Sequence, residues 1–225
     1  MKMKKMLMAI FISTLAGCSF NAQEEEKEVI FTYIKEGYIE EVETLIDEGA
    51  DINQQDALGR TPVMLATYQN NPDMVRLLID KGADIHLKDE LKNNPFLYAG
   101  AEGMNDILLL TIEAGADPAL VNRYGGTALI PAAEKGHGET VKLLLEKTNV
   151  DINHVNDLGW TALMEAIVLS DGGKVHQEII ATLIEYGADV TIPDQEGKSP
   201  IEHARERGFV EIEKMLLKAG AVKVS

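Results

Sequence analysis

Cysteine and basic residues are both scarce in this sequence. Cys18 is the only cysteine in 225 residues, so no disulfide can form within the chain and the fold must be held by packing. There are 21 Lys and Arg residues against 37 Asp and Glu, which gives a net charge of −16. A surface of this sign repels the phosphate backbone of nucleic acids and favours basic partners. We therefore predict no nucleic-acid binding.

The sequence patterns of common enzymes are also missing. The chain has neither a G-x-S-x-G motif nor a glycine-rich phosphate loop with its lysine. The histidines make no pair at the spacing of zinc ligands; they are His86, His137, His154, His176 and His203. We therefore predict no catalytic residue, no metal site and no cofactor.

No apolar run in the sequence reaches the ~20 residues that a membrane-spanning helix needs. The nearest candidate is the N terminus, where Lys2, Lys4 and Lys5 precede a short apolar run that ends in small residues near Gly17. A basic start, a short apolar stretch and small residues are typical of a secretory signal peptide. We predict one over residues 1–17.

The only cysteine follows this segment directly, in the sequence Leu-Ala-Gly-Cys at 15–18. This resembles the lipobox of bacterial lipoproteins, in which the cysteine is acylated after cleavage before it. The resemblance implies that Cys18 is lipidated and that residues 18–27 form an acidic tether. It places the protein on the outer membrane facing the periplasm in a Gram-negative cell, or on the outer face of the cell membrane in a Gram-positive one. An ordinary exported protein with an incidental cysteine is the alternative.

From residue 28 onwards the sequence repeats itself. Related pentapeptides such as G-A-D-I-N recur with spacings of 33, 33, 34 and 38 residues; their aspartates are Asp51, Asp84, Asp117, Asp151 and Asp189. A second series, which includes G-R-T-P-V-M-L-A from residue 59 and G-W-T-A-L-M-E-A from residue 159, keeps the same register. A period of 33 with this pattern resembles the ankyrin repeat.

The resemblance implies an all-α solenoid of helix-turn-helix units with β-hairpin-like fingers between them. We predict one domain over residues 28–225 with about six units including the caps: 28–55, 56–88, 89–121, 122–155, 156–193 and 194–225. Thr127 and Thr161 are expected to cap first helices without the proline that follows other caps. Residues 170–175 are extra, and form either a tolerated surface insertion or a longer loop that reaches over the concave face.

Ankyrin proteins are known to bind other proteins with their finger tips and first helices, which line a concave face. The register places ten candidate partner-binding residues there: Arg60, Tyr68, Asn93, Tyr98, Arg123, Tyr124, Glu134, Asp157, Trp160 and Glu165. It also places Leu58, Leu91 and Leu158 on the fingers.

The predicted site is centred on Tyr124 and Trp160, with Glu134 and Glu165 as acidic complements, because Trp and Tyr are frequent interface hot spots. The alternative is that Trp160 only stiffens the adjacent finger.

We therefore expect a non-catalytic protein-protein interaction module, lipid-anchored at the bacterial cell envelope, that binds a basic envelope protein. We also expect a monomer whose only membrane contact is its anchor. Two alternatives stay open. One is an immunity protein that neutralises an envelope-acting toxin, and the other is a small hydrolase or metal-dependent enzyme built on the concave face.

Overall fold

The computed structural model describes residues 22–221, and for residues 22–27 it describes the backbone only. In this range twelve helices and no strand are found. The helices are α1 (Ala22–Glu36), α2 (Ile39–Asp47), α3 (Pro62–Tyr68), α4 (Pro72–Asp80), α5 (Pro95–Glu102), α6 (Asn105–Glu113), α7 (Leu129–Glu134), α8 (Gly138–Lys147), α9 (Ala162–Val168), α10 (Lys174–Glu185), α11 (Pro200–Glu206) and α12 (Val210–Lys218).

The helices form six antiparallel pairs that stack in chain order. First helices α1, α3, α5, α7, α9 and α11 each contact the first helix of the next pair, and the second helices do the same. Each unit therefore buries its apolar face against its neighbours, which is the solenoid that the 33-residue period predicted.

The first helix begins before residue 28, the predicted start of the repeat domain. α1 begins at Ala22, so residues 22–27, which are part of the predicted acidic tether at 18–27, are helical. Cys18 and the predicted signal peptide at 1–17 lie outside the described residues. None of the helices between residues 22 and 221 combines the length and the apolar character that crossing a bilayer requires.

The core consists of apolar side chains at helical spacing on the facing sides of the pairs. The largest fully buried ones are Ile30, Ile34, Met64, Met74, Leu78, Phe96, Ile107, Leu108, Leu129, Leu144, Leu163 and Met164. The first helices can approach closely because small residues face each other: a Cβ on Gly100 of α5 would lie 2.8 Å from the Cβ of Ala128.

The fingers are tight turns without strands. In the first one, Asp56 N donates to Arg60 O at 3.0 Å and the Asp56 carboxylate accepts from the main-chain N–H groups of Leu58 and Arg60, both at 2.9 Å. An Asp or Asn holds the same place in every finger, where its side chain supports a turn: Asp89, Asn122, Asn156 and Asp194.

Most first helices have the side-chain caps that the sequence predicts. Thr61, Asn94 and Thr161 each accept a hydrogen bond from the main-chain N–H three residues on, at 3.2, 2.8 and 3.2 Å.

The predicted cap at Thr127 is wrong. Its hydroxyl has no hydrogen-bond partner although the residue is 2% exposed. In the next unit, the main-chain N–H of Glu165 donates to the carbonyl of the capping residue Thr161. Pro131 occupies the equivalent position in this unit, and proline has no N–H to donate. The Thr127 carbonyl accepts from Ile130 N–H instead, at 3.2 Å, and α7 has only six residues.

The extra residues at 170–175 are only partly a loop. Residues 170–173 connect α9 to α10, and the remaining two are the first residues of the 12-residue α10. The Ser170 carbonyl accepts from Arg207 at 2.6 Å, and His176 Nε2 lies 2.8 Å from the Glu134 carbonyl oxygen. The insertion thus joins the inter-helix turns of both neighbouring units. It lies at the end of the first helices opposite the fingers.

Candidate functional site

Tyr68 and Tyr98, on the first helices of the second and third units, form an aromatic cluster together with Asn93 of the second finger. The Tyr68 hydroxyl donates to Asp89 Oδ2 at 2.5 Å and accepts from Asn93 Nδ2 at 3.0 Å. The edge of the Tyr98 ring packs against Tyr68, with ring centroids 4.4 Å apart. Burial, together with the Asp89 carboxylate, raises the pKa of Tyr68 to about 12. The cluster therefore offers a partner neutral ring surface.

Arg60 is used within its own finger. Its guanidinium Nε donates to Asp56 Oδ2 at 2.7 Å and its Nη2 lies 2.6 Å from the same oxygen. Burial alone would raise the pKa of Asp56, but the hydrogen bonds from Arg60 and Leu58 outweigh it and the pKa is lowered. The charge of Arg60 is thus matched before any partner arrives.

Arg123, Tyr124 and Asp157 lie together where two fingers meet. The Arg123 guanidinium carbon sits 4.8 Å from the centroid of the Tyr124 ring, within the range of a cation–π contact. Asp157 N–H donates to the Tyr124 carbonyl at 3.0 Å, which ties the fourth finger to the third. The Tyr124 side chain is 53% exposed. It is therefore held in place and still available to a partner.

One buried amide joins Trp160 to Glu165. Asn156 Oδ1 accepts from the Trp160 main-chain N–H at 3.0 Å, and Asn156 Nδ2 donates to Glu165 Oε1 at 2.7 Å. Trp160 itself is half-buried, which fits both a partner contact and a role within the finger.

Glu165 is an unusual carboxyl because it is only 5% exposed and has no cation beside it. Burial, and then the charge of Glu134 on the neighbouring helix, raises its pKa to about 7. Lys135, the lysine next to Glu134, is paired with Glu102 at 2.6 Å. Between residues 28 and 221, neither Glu134 nor Glu165 takes part in an ion pair.

In the next unit, the position equivalent to Glu165 holds a side chain that is paired. His203 occupies the position of Glu165, and its Nε2 lies 2.7 Å from Asp194 Oδ2, at the position of Asn156. The Asp194–His203 pair satisfies both side chains, whereas the Asn156–Glu165 pair leaves an acid unmatched. The fourth and fifth units thus each carry a first-helix carboxyl, Glu134 and Glu165, that has no ion pair among residues 28–221.

Four large apolar side chains protrude from equivalent finger positions. Leu58, Leu91, Tyr124 and Leu158 are 53%, 52%, 53% and 52% exposed. The equivalent residue of the last finger is Glu196. The three leucines were placed on the fingers by the register of the repeat but were not included in the predicted site, since a sequence does not give the exposure of a turn residue.

The residues between 28 and 221 hold no group of three or more His, Cys, Asp or Glu side chains arranged to bind a metal ion.

Comparisons with known proteins agree with this architecture. The family pattern described as ankyrin repeats (3 copies) matches residues 4–89 and 96–194. The first range begins inside the predicted signal peptide, so the match lends no support to that prediction. The chain is 46% identical to the ankyrin repeat protein YahD of Escherichia coli K12 over 187 residues, which cover 83% of this chain and 93% of YahD. The chain belongs to the ankyrin-repeat family.

Two solved structures extend the comparison. An ankyrin repeat domain from Acinetobacter baumannii superposes with a TM-score of 0.85 at 45% identity, covering 87% of this chain and all of that one. A chain from a Bdellovibrio bacteriovorus complex, between a predatory endopeptidase and its immunity protein, superposes with a TM-score of 0.72 at 27% identity, covering 84% of this chain and 96% of that one.

Proposed function

We propose that this protein is a non-catalytic module that binds a partner protein on its concave face between the third and fourth fingers. Tyr124 and Trp160 supply the aromatic anchors, and Glu134 and Glu165 supply the acidic ones. The observation that carries the proposal is Glu165, a buried carboxyl that has no cation beside it and that Asn156 joins to the main chain of Trp160.

The chemistry of this carboxyl favours a basic partner. Burying an acid without a partner costs free energy, and a lysine or arginine placed beside it would offset that cost. Binding would then ionise Glu165 and release a proton. Trp and Tyr next to such a pair would exclude water from it, as interface hot spots do.

The proposal also includes a cellular location for the protein, which is supported by the sequence alone. Lipidation of Cys18 would anchor the module at the cell envelope and would limit its partners to envelope proteins. Intact mass measurement of the protein from the membrane fraction tests this point. A chain that starts at Cys18 and carries acyl mass supports the anchor, and an unacylated chain with another start refutes it.

An immunity role is the second candidate. The likeness to a chain from the complex of a predatory endopeptidase with its immunity protein favours it. In that case the partner would be a toxic enzyme of the same compartment, and capture would abolish the activity of that enzyme. No observation favours the third possibility, an enzyme on the concave face.

The binding site is tested by crosslinking and pull-down from the membrane fraction. A Tyr124→Ala, Trp160→Ala double variant should lose the partner and keep its helical circular dichroism. The matched control is Tyr186→Ala, Val210→Ala, which removes exposed apolar side chains outside the fingers. Normal capture by the Tyr124, Trp160 variant would refute the proposed site.

A further inference from the structure

The finger-tip row, which consists of Leu58, Leu91, Tyr124 and Leu158, has no role in the core. Each side chain is more than half exposed. Scattered exposed apolar residues are normal, but four at one register position form an organised surface. The row ends at Glu196 of the last finger.

The row is already fixed in the unbound protein. Glu90 N–H donates to the Leu58 carbonyl at 3.1 Å, and Asp157 N–H donates to the Tyr124 carbonyl at 3.0 Å. These bonds join the first finger to the second and the third finger to the fourth, so a partner would not have to order these two pairs of tips when it binds.

The spacing of the row suits an α-helix. Packed helices lie 8–10 Å apart, so the tips of successive units are expected to recur about every 8–10 Å. Seven residues of an α-helix rise ~10.5 Å. A helix that lies along the fingers with apolar residues seven apart would therefore meet one tip per heptad, all on one stripe. In an extended strand successive side chains alternate between faces, so residues three apart point to opposite sides.

The charges of the three central residues in each of the first four fingers do not choose a partner, because they balance. Glu90 and Asp157 are matched in number by Lys92 and Arg123. The preference comes from Glu165, just behind the row.

Glu165 is linked to the row through one side chain. Asn156 Oδ1 accepts from Leu158 N–H at 3.0 Å while Asn156 Nδ2 binds Glu165 at 2.7 Å. The unmatched carboxyl therefore lies within the reach of a lysine or arginine on a helix that contacts Leu158. Glu134 adds a second carboxyl on the adjacent first helix.

From these observations we infer that the finger-tip row and the Glu134–Glu165 pair together dock a basic amphipathic helix of the partner protein. Its apolar side chains recur every seven residues, and a lysine or arginine on its inner edge reaches the two carboxyls. The inference rests on the proposed function and names the chemistry of the partner.

The test is a selection of random 24-residue peptides, displayed on phage, against the full chain. Selected peptides should carry apolar residues seven apart and an excess of lysine or arginine. Their Kd should rise at least tenfold on a Leu58→Ser, Leu91→Ser, Leu158→Ser variant. It should stay within twofold on the control Val175→Ser, Val210→Ser, whose valines are as exposed but lie on helices.

A second variant tests the charge. Glu134→Gln, Glu165→Gln should weaken the same peptides about tenfold and remove the proton release on binding, which is measured by calorimetry in buffers of different ionisation enthalpy. Enrichment of acidic peptides, of peptides without the heptad period, or of none that depend on the leucines would overturn the inference.

Failure of this inference differs from failure of the proposed function. A pull-down that depends on Tyr124 and Trp160, with no peptide that depends on the leucines, would keep the binding site and reject the helix. If no variant lost binding of either the partner or a peptide, both the proposed binding site and the helix inference would be rejected.

Discussion

Replacing Glu165 with glutamine should make the protein more stable at neutral and alkaline pH. Glutamine has the same shape, and its carbonyl oxygen can still accept the hydrogen bond from Asn156 Nδ2. The change removes the only property of Glu165 that opposes folding, which is the charge that a carboxylate carries in a buried site.

The size and sign of the effect follow from the pKa of Glu165, which burial and Glu134 raise from 4.5 to about 7. A raised carboxyl pKa means that the folded state holds its proton more tightly than the unfolded state. The stability that this gives is fully present below pH 4.5 and is lost as the pH rises through 7. One pKa unit corresponds to about 1.4 kcal/mol, so the loss is about 2–3 kcal/mol after allowance for residual solvation.

Urea unfolding followed by circular dichroism between pH 4.5 and 8.5 measures this difference. The two proteins should have similar free energies of unfolding near pH 4.5, and the Glu165→Gln variant should be about 2–3 kcal/mol more stable at pH 8. Glu134→Gln should show a smaller part of the same effect, because it removes only the neighbouring charge. A Glu139→Gln variant, on an exposed site, is the control. A constant difference across the pH range would show that folding does not raise the pKa of Glu165, and it would refute this reasoning.

Two further predictions concern local structure. Thr161→Ala should lower the free energy of unfolding by about 1 kcal/mol because it removes a helix cap. Thr127→Ala should change it by less than about 0.5 kcal/mol because that hydroxyl has no hydrogen-bond partner. Urea unfolding compares the two variants, and equal losses would contradict the absence of a cap at Thr127. Gly172 and Gly208 share a φ of +70°, but a Cβ at Gly172 would lie 2.5 Å from the Phe209 ring and one at Gly208 meets nothing within 4 Å. Alanine should therefore cost about 1 kcal/mol at Gly208 and about 2–4 kcal/mol at Gly172, as thermal unfolding would show, and similar costs would mean that the ring moves aside freely.

The repeat period was enough to predict the fold because it reports directly on how each unit packs. The glycines, the capping residues that precede proline (Thr61, Asn94 and Ser199) and the apolar spacing all recur in one register, and each is a local signal. The cap at Thr127 could not be predicted in the same way. It fails because Pro131 has no N–H for the Thr127 carbonyl, which accepts from Ile130 N–H instead, and Ile130 N–H is the group that would otherwise bond the Thr127 hydroxyl.

The properties of the candidate site depend on neighbouring units, and a single sequence shows them poorly. The register placed Glu165 on the concave face, but its burial comes from the packing of α9 between α7 and α11. Arg60 was predicted to contact a partner, and the structure shows that Asp56 already holds it. Pairing of this kind depends on side-chain conformation, which no repeat pattern encodes.

The missing side-chain cap at the start of α7 has a consequence for local unfolding of the protein. In a linear array each unit is held by its own helices and by its two neighbours, so a local defect is not averaged over the whole chain. Arrays of this kind are expected to fray from their ends, yet here the shortest first helix, without a side-chain cap, stands in the fourth of six units. Amide hydrogens of α7 should then exchange with solvent sooner than those of α5 and α9 on either side. A helix bound across the third and fourth fingers would span that point, so the bound partner would slow exchange in the centre of the array more than at its ends.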